Sequence, residues 1–188
     1  MQFLETNIEG LFEFRPKVYQ DVRGYFYESF SQKEFDMFLA DNHLSPTIFV
    51  QHNQVYSCYG VIRAFGLQQG EHAQSKLIEC INGRILDVVI DLRRMSKSFG
   101  NVFKTILSGK EHNQLFIPKG CAHGYSVLSK EAIVQFKVDE YYQPYSELSF
   151  RWNDPDINID WQIPQSEIIV TDRDNNAPMF KELIFQIK

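Results

Sequence analysis

The dipeptide Asn82-Gly83 lies between two runs of strand-forming residues, 76–81 and 84–92. Asn-Gly adopts positive φ at both centres of a tight turn, so it is the strongest short-range signal for a β-hairpin. A chain with this turn near its middle is committed to antiparallel β-structure there. If Ile81 stands opposite Arg84, Lys76 falls opposite Val89, and Lys76, Asp87, Val89 and Asp91 point to one face. Asp87 and Asp91 are then the diagonal neighbours of Lys76, roughly 7–8 Å away. Val88, Ile90 and Leu92 take the other face. This pattern has two readings. The polar face is either solvated sheet surface or the lining of a cavity, where a buried lysine holds an electron-rich ligand oxygen.

Residues 47–56, 102–107, 114–117 and 132–138 are further strand candidates. One helix is signalled. Ser31-Gln32-Lys33-Glu34 is a capping box, Phe30 and Phe35 are placed as a hydrophobic staple, and Phe35, Phe38 and Leu39 form a stripe at i, i+3, i+4. This helix is expected to end near Asn42. The region holding Asp154-Pro155, Pro164 and Pro178 reads as irregular. Many short strands with one helix specify an all-β chain: an antiparallel jelly roll or cupin-like β-sandwich with one or a few short helices. The 16 Phe and 9 Tyr suit such sheets, where flat rings pack on a pleated surface. With 188 residues and no repeat or linker, a single domain over 1–188 is expected.

Composition narrows the partners. A net charge of −5 without a basic stripe argues against nucleic acid, but leaves room for a small anionic ligand held by a few cations. Cys58, Cys80 and Cys121 are odd in number and widely spaced, which points to a reducing compartment. Residues 1–10 have no basic region leading into an apolar run, and no apolar stretch approaches the ~20 residues that cross a bilayer. The expectation is a cytoplasmic protein with no membrane partner. None of His43, His52, His72, His112 and His123 forms an H-x-H or H-x-x-x-H pair, so no metal site is expected. Neither a G-x-S-x-G elbow nor a Gly-rich phosphate loop occurs.

Seven segments, in order, resemble the dTDP-4-dehydrorhamnose 3,5-epimerase family. They are D-V-R-G-Y-F-Y-E-S at 21–29, F-V-Q-H-N at 49–53, G-V-I-R at 60–63 and G-E-H-A-Q-S-K-L at 70–77. The others are I-P-K-G-C-A-H-G-Y at 117–125, Y-Y-Q-P at 141–144 with Glu147, and T-D-R-D at 171–174. The resemblance spans nearly the whole chain. It implies a jelly-roll homodimer, a dTDP-linked 4-keto-6-deoxyhexose as ligand, and no cofactor. A C4 ketone acidifies the protons at C3 and C5. A base removes one, an enolate forms, and an acid returns a proton to the opposite face. By the same resemblance Arg23 and Glu28 belong to the nucleotide end, and Gln51 and Asn53 line the pocket with His52 between them. Arg63 meets phosphate, Lys76 and His123 sit near the sugar, and Glu147 and Arg173 complete the binding set.

Two positions depart from the family. Its base is the histidine of an R-G-L-H segment, which here is Arg63-Ala64-Phe65-Gly66, so Gly66 stands at the base position. Its acid is a tyrosine in the strand before Y-Y-x-P, where this chain has Phe136. Asp174 matches the aspartate that orients the base and is orphaned. Each lost group is expected to cost about 10²–10⁴-fold in rate. Two readings follow: an isomerase or epimerase with rearranged proton-transfer groups, for which His52 and His72 are candidates, or a non-catalytic nucleotide-sugar binder that partners or regulates a true epimerase.

Overall fold

The computed structural model describes residues 2–183. Six strands form one antiparallel sheet: β1 (Gln2–Glu5), β2 (Phe12–Arg15), β5 (Gln51–Cys58), β7 (Lys76–Asn82), β10 (Gln114–Ile117) and β12 (Glu131–Val138). Their order across the sheet is β1-β2-β10-β7-β12-β5. Five strands form the second: β6 (Ile62–Gln68), β8 (Arg84–Asp91), β9 (Val102–Ser108), β11 (Cys121–Val127) and β13 (Glu147–Ser149), in the order β13-β6-β11-β8-β9. A separate two-stranded hairpin joins β3 (Tyr19–Asp21) to β4 (Gly24–Phe26). The all-β antiparallel sandwich read from the sequence is the architecture found.

The helix forms as its local signals require. It is α1 (Gln32–Asp41), with the Ser31 hydroxyl accepting from the Glu34 amide at 3.5 Å and Asn42 as C-cap. Phe30 and Phe35 meet with ring centroids 5.9 Å apart, closing the staple. Phe35, Phe38 and Leu39 are buried against Phe12, Phe14, Leu77 and Phe116 of the six-stranded sheet. The other sheet's outer face, with Leu86, Val88 and Ile90, is covered by Phe150, Trp152 and Trp161. Between the sheets lie Ile78, Ile85, Val89, Leu115, Val127 and Val134. At ~25 cal/mol per Å² of apolar surface, these three layers are the main favourable term in folding.

One expectation is overturned. Arms β7 and β8 do not form a hydrogen-bonded ladder, because they belong to different sheets. Asn82 pairs instead with Ile133 of β12, and β8 pairs with β9 and β11. Asn82-Gly83 is a corner between sheets. Gly83 has φ +83°, and a Cβ there would sit 2.1 Å from the Glu131 carbonyl oxygen, so only glycine fits. The alternation of faces along β8 survives this change. The solvated reading of its polar face does not: Asp87 and Asp91 are both fully buried.

The two carboxylates have separate fates. Asp91 is not a partner of Lys76. It accepts from Arg93 Nε and Nη2 at 2.8 and 2.7 Å, and from Ser96 and Ser98 at 2.7 and 2.6 Å. Burial opposes its charge, but these donors outweigh it and hold the carboxyl at about 2, below the ordinary 3.8. A depressed pKa stabilises the fold above pH 3.8, and that contribution is lost as pH falls through about 2. Acid titration of unfolding free energy is therefore expected to lose on the order of 2 kcal/mol across that window. Asp91→Asn should lower stability near neutrality and flatten this part of the profile.

Candidate functional site

A cavity of about 270 Å³ opens between the sheets, near the lower end for small-molecule sites. Its five-stranded wall carries Arg63, Gly66 and Gln68 of β6, His123 and Tyr125 of β11, and Glu147 of β13. The facing wall carries Val55 of β5, Lys76 and Ile78 of β7, and Phe136 of β12. Gln74 and Tyr142 add from loops.

Arg63 and Gly66 are three residues apart, a spacing that places side chains on opposite faces of a regular strand. Both line the cavity because β6 carries a bulge. Gly66 pairs with His123 and Arg63 with Tyr125, so three steps on β6 match two on β11. Gly124 makes this possible: a Cβ there would lie 2.8 Å from the Arg63 carbonyl oxygen. The same bulge leaves Gly66 as the cross-strand neighbour of His123.

The polar groups form two pairs and one bridge between them. His123 Nε2 lies 2.8 Å from Asp87 Oδ2. A carboxylate only accepts, so Nε2 carries a proton, and the neutral imidazole then has its lone pair on Nδ1. Asp87 Oδ1 is buried without a hydrogen-bond partner among the described residues. Glu147 accepts from Tyr142 Oη at Oε2 (2.7 Å) and is ion-paired through Oε1 with Arg173 Nη2 (2.7 Å). The charge of Lys76 bridges the pairs. Burial lowers its pKa, and the attraction of Asp87 and Glu147 works against that fall. The lysine feels two carboxylates, but the second is Glu147 and not Asp91. Burial also pushes the Tyr125 phenol up to about 12, so it stays protonated near neutral pH.

The structure thus brings Arg63, Lys76, His123 and Glu147 to one cavity together with Gly66 and Phe136. Arg173 reaches it through Glu147. Gln51 and Asn53, hydrogen-bonded to each other at 2.8 Å, share the face of Val55 further along β5. Arg23 and Glu28 are exposed, and Arg23 is ion-paired with Asp21. Asp174 lies on the short helix α2 (Asp172–Asn175), outside the cavity lining.

His52 and His72, the two candidates for a displaced base, are not cavity residues. His52 alternates with Gln51 and Asn53 and faces away, where burial and Lys137 lower its pKa. His72 is hydrogen-bonded to the Tyr145 hydroxyl at 2.9 Å. Among the described residues no group of His, Cys, Asp and Glu could hold a metal ion. No helix of those residues is long and apolar enough to cross a membrane.

Two cavity tyrosines, Tyr125 and Tyr142, lie outside the predicted site set. Tyr125 was legible, since it follows His123 by two on the same strand. Tyr142 and the approach of Glu147 to Gly66 depend on β13 pairing with β6, with Ser149 opposite Gly66, and no local signal specifies that pairing.

Known proteins share this arrangement of the chain. The family model described as dTDP-4-dehydrorhamnose 3,5-epimerase matches residues 5–182. A dTDP-4-dehydrorhamnose 3,5-epimerase of Escherichia coli K12 is 42% identical over 185 residues, covering 98% of this chain and 97% of the relative. The crystal structure of dTDP-4-dehydrorhamnose 3,5-epimerase from Elizabethkingia anophelis superposes with a TM-score of 0.90 at 41% identity, covering 97% of each chain. An epimerase from Legionella pneumophila, solved in complex with dTDP-4-keto-L-rhamnose, gives a TM-score of 0.88 at 37% identity, over 96% of this chain and 93% of that one.

Proposed function

The chain belongs to the dTDP-4-dehydrorhamnose 3,5-epimerase family, and from that premise we propose that it binds a dTDP-linked 4-keto-6-deoxyhexose in this cavity and acts on it as a sugar-nucleotide isomerase or epimerase of deoxysugar biosynthesis. The observation that carries the reading is the convergence of Arg63, Lys76, His123 and Glu147, far apart in sequence, on one cleft between the sheets. Arg63 supplies a forked guanidinium suited to phosphate oxygens. It is steadied by donating from Nε to Ser57 Oγ at 3.1 Å. Lys76 supplies positive charge where a C4 enolate oxygen develops, in a site partly shielded from water. The homodimer is part of the same proposal. The β3–β4 hairpin exposes Tyr19, Val22, Tyr25 and Phe26 beside Arg23, and a second copy covering it brings Arg23 and Glu28 out of bulk solvent.

By the resemblance, the family's base and acid positions correspond to Gly66 and Phe136, which line opposite walls of the cavity. Neither side chain transfers a proton. This favours a second reading, a binder without turnover that partners or regulates a true epimerase. Both readings require the nucleotide site, and both give little ordinary 3,5-epimerase activity.

Calorimetry with dTDP is expected to register binding, and Arg63→Ala to weaken it about 10–100-fold, the loss of one charge-assisted phosphate contact. Unchanged affinity in this variant would remove Arg63 from the site. Restoring the family pair is the complementary experiment. At Gly66 an added Cβ meets only Glu147 Oε1 at 3.6 Å and the Leu148 carbonyl oxygen at 4.0 Å, so a side chain enters without backbone collision. Gly66→His with Phe136→Tyr should raise 3,5-epimerase activity at least about 100-fold. A double variant that folds, binds dTDP and gains nothing would show a cavity diverged beyond these two positions.

A further inference from the structure

The proton-transfer groups that remain are unevenly distributed. His123, Tyr125 and Glu147 belong to the five-stranded wall, while on the facing wall Val55, Ile78 and Phe136 have nothing to donate or accept and Lys76 is left to serve the sugar oxygens. Inverting a carbon needs a base on one face of the ring and an acid on the other. Groups on one wall remove and return a proton on the same face. Among them His123 is the best base. Its Nε2 is committed to Asp87 at 2.8 Å, so the neutral imidazole presents its lone pair at Nδ1. Both oxygens of Glu147 are engaged, by Arg173 and Tyr142. Gly66, directly across from His123, puts no side chain between the imidazole and a bound ring.

We propose, resting on the ligand reading above, that His123 is a single proton carrier and that the chain moves the carbonyl of its 4-keto sugar nucleotide from C4 to C3, giving the 3-keto isomer and not an inverted epimer. His123 Nδ1 takes the proton from C3. The electrons of that C–H bond form C3=C4, and the carbonyl π pair goes to O4, which takes a proton from the Lys76 ammonium. The result is an enediol. In the second half O3 returns a proton to the Lys76 amine as C3=O forms, and His123 delivers its proton to C4 on the face from which it came. One hydrogen has passed from C3 to C4 and one from O3 to O4, with no oxidant or reductant. Lys76 suits this relay. It stands on the facing wall near its edge, drawn toward Asp87 and Glu147, and burial eases the loss of its proton.

The test is incubation of the full chain with dTDP-4-keto-6-deoxyglucose in D₂O, read by proton NMR and by borodeuteride reduction, which labels the carbonyl carbon. The expected result is label from reduction at C3, solvent deuterium at C3 and C4 only, and a retained C5 proton. His123→Asn should lower the exchange at least about 100-fold while dTDP binding persists. Deuterium at C5, an L-configured product, or inversion at C3 would overturn the proposal, the last by showing that carbon is protonated from the Lys76 wall. No exchange with dTDP still bound by calorimetry would overturn the isomerisation and leave the ligand reading standing. No dTDP binding would sink both.

Discussion

A carboxylate with no access to water must be answered by charge or by donors, and the interior of this sandwich is arranged around that requirement at Asp87. One oxygen meets His123, the other has no hydrogen-bond partner among the described residues, and Lys76 supplies an opposing charge. Stranding a buried charge costs several kcal/mol, so these groups hold one another in place. The arrangement also prevents the two sheets from closing on an entirely apolar interior. Where Ile85, Val89 and Leu115 meet, the sandwich is sealed. Where Asp87, Lys76 and His123 meet, it stays open as a cavity.

Local signals proved sufficient wherever the decisive contacts were local. The capping box and staple specified α1 to within a residue, because Ser31, Glu34 and Phe35 act over one turn. The period-two pattern of β8 separated Val88 and Ile90 from Asp87 and Val89 for the same reason. The ladder between β7 and β8 was misread because Asn-Gly encodes a chain reversal and not the partner of each arm. The arms were taken by β12 and β11, some fifty and thirty-five residues further on, and nothing near the turn records that competition. The bulge on β6 was hidden likewise: it shows in sequence only as a glycine, Gly124, on the neighbouring strand. Resemblance supplied what local chemistry did not, the grouping of Arg63, Lys76, His123 and Glu147 into one site.

Gly66 illustrates how a glycine's role is decided. Glycines kept for their backbone sit at positive φ or against a neighbouring main chain, as Gly83 and Gly124 do. Gly66 is not among the positive-φ glycines, and its nearest prospective neighbour is the end of a flexible carboxylate side chain. Neither torsion nor main-chain crowding therefore accounts for it, and its consequence is vacant volume beside His123. Phe136 has a different consequence. It keeps a ring on the facing wall, packed against the inter-sheet core, and contributes no hydroxyl. One wall has space next to a paired imidazole, and on the other Val55, Ile78 and Phe136 leave Lys76 to carry the polar chemistry. The asymmetry of the cavity is thus a product of both positions acting together, and the proposed same-face proton transfer rests on that asymmetry more than on either position alone.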